Sequence, residues 1–176
     1  MQDPFTLLEL PHTFDLEACV LRGALLKGSL RWHPDRFALA SAVEREVAED
    51  HMAALNQAHE KLSDPLHRAE SLLALHGHAL GNGTDQTSSP MFLMEMMEMK
   101  EEAEAALASG DISQLKKISA ALRANEHQRI HAITLAFRDW ETAGRPDAQL
   151  DQLRGLVTEA VYVRRTLEGM RPAPSY

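Results

Sequence analysis

No run of alternating or β-branched apolar residues long enough to make a convincing strand occurs in the 176 residues. Helix is therefore the regular structure the chain is expected to build. Composition points the same way. Aromatic residues make up only 5%, while Ala, Leu, Met, Glu and Gln are abundant, and unbranched side chains lose little rotamer freedom in a helix. A hydrophobic content of 44% is enough to bury a core in one ordinary domain or two small ones. The expected class is all-α.

The helical periodicity breaks between Gly77 and Pro90, where Gly81, Asn82, Gly83, Thr84, Ser88 and Ser89 intervene. This places a first domain at 1–77, a linker at 78–89 and a second domain at 90–171. In the first domain Asp15 is expected to cap a helix reaching about Arg31, with Leu16, Val20, Leu26 and Leu30 on one arc. Ser41-Ala42-Val43-Glu44 has the spacing of a capping box that opens a second helix ending near Leu62. Its apolar stripe reads Val43, Val47, Ala54, Ala58 and Leu62 and needs a facing helix, so the two should form a hairpin around the loop Trp32 to Ala40. Beyond Pro90 the signals predict helices at about 90–109, 112–142 and 147–169, ended by Gly110, capped by Asp111 and opened by Pro146 respectively. Short connections between long amphipathic helices favour an antiparallel three-helix bundle, with Ile130, Ile133, Phe137 and Trp140 as an apolar ladder. The tail after Gly169, with Pro172 and Pro174, is expected to fray.

Net charge is −8 and is spread along the chain: Asp and Glu outnumber Lys and Arg by 12 to 7 over residues 1–78 and by 14 to 11 over 79–176. No basic stripe is available for phosphates, which argues against nucleic acid as a partner. Cys19 is the single cysteine and cannot form an internal disulfide, so a reducing compartment is expected. No basic stretch followed by an apolar run opens the chain, and no run approaches the roughly 20 residues of a membrane span. The expectation is a cytoplasmic protein without a membrane partner.

Two features carry chemistry. His33-Pro34-Asp35 follows a helix, and Pro34 disfavours the helical conformation for the residue before it; taken alone, the tripeptide reads as an ordinary turn. On helix 90–109, at about 100° per residue, Phe92, Met96, Met99, Ala103, Ala106 and Leu107 share one arc, the expected core face. Leu93, Met94 and Met97 fall elsewhere, among Glu98 and Glu101, as an outward apolar patch rimmed by carboxylates, the alternative being a helix packed on two sides. On helix 147–169 the core arc is Leu150, Leu153, Leu156, Val157, Ala160, Val163 and Leu167, which leaves Tyr162 outside it.

Other constellations are weaker. His127 and His131 stand four apart, but Gln128 follows His127, so the metalloprotease motif is absent and no third ligand is near in sequence. His76 and His78 read as loop polar groups. His33 with Asp35 also admits a small histidine- or metal-dependent enzyme, although no nucleophile or oxyanion motif accompanies them.

The extended segment Trp32-His33-Pro34-Asp35-Arg36-Phe37 between two helices resembles the J-domain. Leu55-Asn56-Gln57-Ala58, Asp64-Pro65-Leu66, Arg68-Ala69-Glu70, Leu72-Leu73, Gly77 and Phe92-Leu93-Met94-Glu95 extend the resemblance, from Phe5 to about Leu167, to the HscB family of iron–sulfur co-chaperones. The resemblance implies a J-domain that contacts a DnaK-type (HscA-like) ATPase chaperone through His33, Pro34, Asp35, Arg31, Arg36, Lys27 and Arg22. It also implies a second domain that holds an iron–sulfur scaffold protein (IscU-like) through Leu93, Met94, Met97, Glu98, Glu101 and Tyr162. No catalytic residue, cofactor or metal is implied for this chain. It departs from the family pattern at Gly28 and Leu30, ahead of the loop, and at Ala105, where the family has an acidic residue. A general J-protein for unfolded clients is the other alternative, but the chain has no glycine- and phenylalanine-rich linker and no zinc-binding cysteine repeat.

Overall fold

The computed structural model describes residues 3–81 and 88–170. Half of the expected linker, residues 82–87, and the tail after Met170 lie outside the described residues. The chain divides into two compact units, Met1–Gly77 and His78–Tyr176, and the described residues contain helices and no strands.

The first unit opens with a single turn, α1 (Pro4–Leu7), capped by Asp3, whose carboxylate accepts from the amides of Phe5 and Thr6 at 3.1 Å. Helix α2 is Ala18–Trp32, two residues shorter at its start than the sequence suggests, with Glu17 rather than Asp15 at the cap position. It stops at His33, which is extended (φ −61°, ψ 130°) as the proline after it requires. A 3₁₀ turn follows at Pro34–Phe37. Helix α3 (Ala42–Ser63) starts on the expected capping box: Ser41 N donates to Glu44 Oε2 at 2.9 Å and Glu44 N to Ser41 Oγ at 3.3 Å. Asp64 ends α3 and opens α4 (Pro65–Leu75), accepting from the amides of Leu66 and His67.

Helix α4, not read as a separate element from the sequence, is the most deeply buried one in this unit: Leu66, Ala69, Leu72 and Leu73 join Phe5, Leu21, Leu55 and Leu62 in the core. The expected stripes shift accordingly. On α3 the buried positions are Ala48, Leu55, Ala58 and Leu62, whereas Val43 and Val47 are exposed. On α2 only Leu21 is fully buried, and Val20, Leu26 and Leu30 face solvent. The reason is visible at Gly28, where an added Cβ would stand 2.8 Å from Leu55 Cδ1. Here α2 offers a glycine to Leu55 of α3, and Leu26 and Leu30 are left on the exposed side.

The second unit is three long helices, α5 (Pro90–Ser109), α6 (Ile112–Thr142) and α7 (Leu150–Gly169), with a 3₁₀ turn at Asp147–Gln149 leading into α7. Ser89 and Asp111 cap α5 and α6 through their side chains, and Gly110, at φ 69°, closes α5 in the left-handed conformation that glycine adopts without strain. Phe92, Met96, Ala103, Ile118, Leu122 and Val163 form one core cluster. Phe137 and Trp140 pack edge to face further along α6, and Trp140 Nε1 donates to Pro146 O at 3.2 Å. Of the expected core arcs, Leu107 departs and is exposed. Leu156 and Leu167 are half-buried, and the remaining α7 positions are buried.

Candidate functional site

In the first unit the loop is built by aromatic packing beneath a polar tip. The Trp32 ring lies parallel to Phe37 (centroids 6.1 Å apart, 8°) and to His51 of α3 (3.9 Å, 17°), which ties the end of α2 and the 3₁₀ turn to α3. Arg36 Nη1 donates to Leu30 O at 2.8 Å, satisfying a carbonyl that the end of α2 leaves open. Asp35 N donates to His33 Nδ1 at 3.3 Å, an arrangement that places the neutral ring's proton on Nε2, directed to solvent. The side chains of His33 and Asp35 are 53% and 90% exposed, with Nδ1 and Oδ2 3.5 Å apart. Nothing excludes water around them, as an acid–base site would need. A cavity of about 380 Å³ beside the stack is lined by Leu8, Lys27, Gly28, Trp32, His51 and Leu55 among others, and by neither His33 nor Asp35.

The four cations named from the sequence are exposed but not equivalent. Arg31 stands over the Trp32 ring at 5.5 Å. Lys27 Nζ is 2.5 Å from Glu9 Oε2, and the hydrogen bond and charge of Lys27 hold the Glu9 carboxyl below the usual glutamate value. Arg31, Arg36 and Lys27 border one shallow trough; Arg22 does not line it.

In the second unit the surface of α5 separates as the angular reading requires, except at Leu107. Phe92, Met96, Ala103 and Ala106 are buried, while Leu93, Met94 and Met97 are 40%, 64% and 57% exposed, with Glu98 and Glu101 exposed beside them. Tyr162 is partly exposed on α7 and meets the Phe92 ring edge to face at 5.8 Å. A groove of about 390 Å³ runs between α5 and α7, lined by Lys100, Glu104, Leu107, Tyr162, Arg165 and Met170 among others. Leu107 thus belongs to a groove wall and not to the core. Sequence reading also missed the support beneath this face. Arg129 covers the Phe92 ring at 4.4 Å and is ion-paired with Glu159, whose second oxygen accepts from Ser89 N at 3.3 Å. Arg164 and Glu126 pair at 2.7 Å. These partners are 30 to 70 residues apart, so no local pattern announces them.

Among the described residues no group of three His, Cys, Asp or Glu side chains could hold a metal, and both His127 and His131 are exposed. No helix among them is long and apolar enough to cross a membrane.

Residues 88–169 match the model of the HSCB C-terminal oligomerisation domain. A co-chaperone protein HscB homolog of Mannheimia succiniciproducens is 32% identical over 162 residues, covering 90% of this chain and 94% of that protein. One from Vibrio cholerae serotype O1 is 41% identical over 107 residues, a match that spans 61% of this chain and 63% of the relative. Among solved structures, the human co-chaperone protein HscB is similar at a TM-score of 0.78 and 24% identity, over 97% of this chain and 81% of that one. The chaperone HscB from Vibrio cholerae is similar at 0.61 and 30%, over 97% and 100%. With matches over both units, and one relative aligned over nearly its whole length, the chain belongs to the HscB family of co-chaperones.

Proposed function

We propose that this chain binds an iron–sulfur cluster scaffold protein (IscU-like) and presents it to a DnaK-type (HscA-like) chaperone in the cytoplasm, stimulating that chaperone's ATPase and contributing no active site of its own. Residues 1–77 act as the J-domain, 78–89 as linker and 90–171 as the scaffold-binding domain. The observation that carries this reading is the exposed tip His33-Pro34-Asp35 on a loop anchored by the Trp32, Phe37 and His51 rings, in a chain of a co-chaperone family. A rigid base under an exposed polar tip suits contact with a partner better than catalysis.

The mechanism is differential binding. Contacts made by His33, Pro34 and Asp35, with Arg31, Arg36, Lys27 and Arg22 around them, favour the partner's hydrolysis-competent state. Leu93, Met94 and Met97, with Glu98, Glu101 and Tyr162, hold the scaffold, so that tethering raises its effective concentration at the chaperone. The decisive measurement is ATP hydrolysis by candidate DnaK-type chaperones with the parent and the His33→Gln protein. Stimulation should be lost in the variant while helicity and scaffold binding stay unchanged. Full stimulation by a correctly folded His33→Gln protein would refute the reading.

A second reading has its own support. The matched domain model is described as an oligomerisation domain, and the Leu93, Met94 and Met97 patch would equally suit a second copy of the chain. Sedimentation of the parent and of the triple alanine variant separates the two, because only a self-contact changes the mass of the chain alone.

A further inference from the structure

Four side chains of α5 are buried, Phe92, Met96, Ala103 and Ala106. Two are methyl groups and one is a flexible thioether, so of the four Phe92 alone is both large and rigid. A core fixes position by interlocking well-defined shapes, and α5 brings little of that to set its place along the bundle. Leu93, Met94 and Met97 lie in its first two turns and go wherever those turns go. The rest of what holds the first turn is polar. Glu159 of α7 accepts from Ser89 N through Oε1 at 3.3 Å and pairs with Arg129 of α6 through Oε2. Arg129 Nε donates to Asn125 Oδ1 at 2.7 Å, which keeps the guanidinium 4.4 Å from the Phe92 ring centre. Phe92 in turn meets Tyr162 edge to face, about one turn along α7 from Glu159. A single carboxylate thus joins three helices, and its charge stands at the end of α5 where unpaired amides favour an anion.

We propose that Glu159 and Arg129 are positioning residues for scaffold binding. They touch no part of the scaffold, and they hold the first turns of α5 at the height along α7 where Leu93, Met94 and Met97 share a surface with Tyr162. This rests on the reading of that surface as the scaffold site and names what aligns its two halves. Loosening the pair leaves every contact residue on the chain but makes the aligned arrangement one state among several, so apparent affinity falls in proportion to its population. A second pair between the same helices, Arg164 with Glu126 at 2.7 Å, provides the comparison. Side-chain exposure is 21% and 17% for Arg129 and Glu159, and 21% and 15% for Arg164 and Glu126, so the two pairs should matter alike to stability. It is the first that carries the Phe92 ring and the Ser89 amide.

The test compares the full-length Glu159→Gln, Glu126→Gln and Arg129→Glu/Glu159→Arg proteins with the parent, by melting temperature and by the association and dissociation rates of an IscU-like scaffold protein. A carboxamide has one acceptor oxygen and can serve the Ser89 amide or the Arg129 guanidinium, not both. Glu159→Gln should therefore lower scaffold affinity roughly tenfold, as when about one molecule in ten is aligned, through slower association at an unchanged dissociation rate. Glu126→Gln should lower the melting temperature by a similar amount and leave both rates as in the parent. The charge exchange should return the melting temperature toward the parent's without restoring association, because a guanidinium in place of the Glu159 carboxylate cannot accept from Ser89 N. Parent-like binding by Glu159→Gln overturns the proposal. Equal loss of affinity in Glu126→Gln, or recovery of association together with melting temperature in the exchange variant, overturns it as well, the pair then serving stability alone. Faster dissociation at an unchanged association rate does the same, since Glu159 would then touch the scaffold. If the parent itself binds no scaffold, the reading of the surface and the role of the pair fall together.

Discussion

Arg68 holds together three separate stretches of the first unit. Its Nε donates to Leu62 O at 2.7 Å and its Nη1 to Phe14 O at 2.8 Å, with Leu16 O at 3.4 Å, and the guanidinium stands over the Phe14 ring at 5.7 Å. Burial lowers its pKa from the usual arginine value, an effect that Asp15 and Asp64 partly offset. Arg68→Ala should destabilise this unit by roughly 2–4 kcal/mol, because buried carbonyls are left without donors; urea unfolding followed by helicity measures it. Arg68→Lys should recover only part of the loss, since a single ammonium cannot span both carbonyls as the fork does. The sequence shows Arg68 only as part of a family pattern. Its role depends on backbone oxygens 6, 52 and 54 positions away, a relation no local spacing encodes. The loop residues His33, Pro34 and Asp35 are the opposite case: proline's effect on its neighbour is local, and the break in α2 falls where the sequence puts it.

Helices whose contacts are local or large are legible, and those that pack through small residues are not. On α5 the 100° arithmetic separates Phe92 and Met96 from Leu93, Met94 and Met97, because a bulky core face and a bulky outer face differ in angle. Replacing those three outer residues by Ala should change the melting temperature little and should abolish the extra ATPase stimulation seen when scaffold is present. Phe92→Ala, by contrast, should cost roughly 3–5 kcal/mol, and thermal melts alongside the ATPase assay distinguish the two outcomes. On α2 the same arithmetic follows the leucines to the wrong side, since the packing face includes Gly28, which carries no hydrophobic signal. On α3 it follows Val47, which lies about 100° round the helix from buried Ala48. The start of α3 is legible because Ser41 and Glu44 satisfy each other within four residues, and it carries a pH dependence. Hydrogen bonds from the Ser41 hydroxyl and then its amide hold the Glu44 carboxyl below the usual value of 4.5. Its contribution is therefore complete above that value and disappears as the pH falls through the lower folded-state value. The difference in helix stability between the parent and Glu44→Ala should be present at pH 7 and shrink in acid, as melts followed by circular dichroism at both pH values would record.

Across the whole molecule, the proposed function divides between two units, each with its own buried core. A chain that is damaged at the loop and sound on α5 should then act as a competitor. Full-length His33→Gln protein, added to a mixture of parent, limiting scaffold and ATPase, should lower scaffold-dependent stimulation progressively, whereas the same protein carrying the triple alanine change should not. Equal inhibition by both would mean that the two contacts are not separable. The all-helical class, the bundle and the outward patch were legible as a set because each follows from periodicity; α4, the Arg129–Glu159 support and the trough were not, because they arise from what tertiary packing leaves over. One feature of the fold also equips the molecule for such measurements. Its two tryptophans fall one to each unit: Trp32 half-buried under the loop, Trp140 fully buried between Phe137 and the Pro146 carbonyl. Each unit therefore has its own intrinsic fluorophore. Light emitted by Trp32 should respond when a partner settles on the loop, while Trp140 stays silent, and Trp32→Phe or Trp140→Phe leaves a single emitter with which to time each binding event.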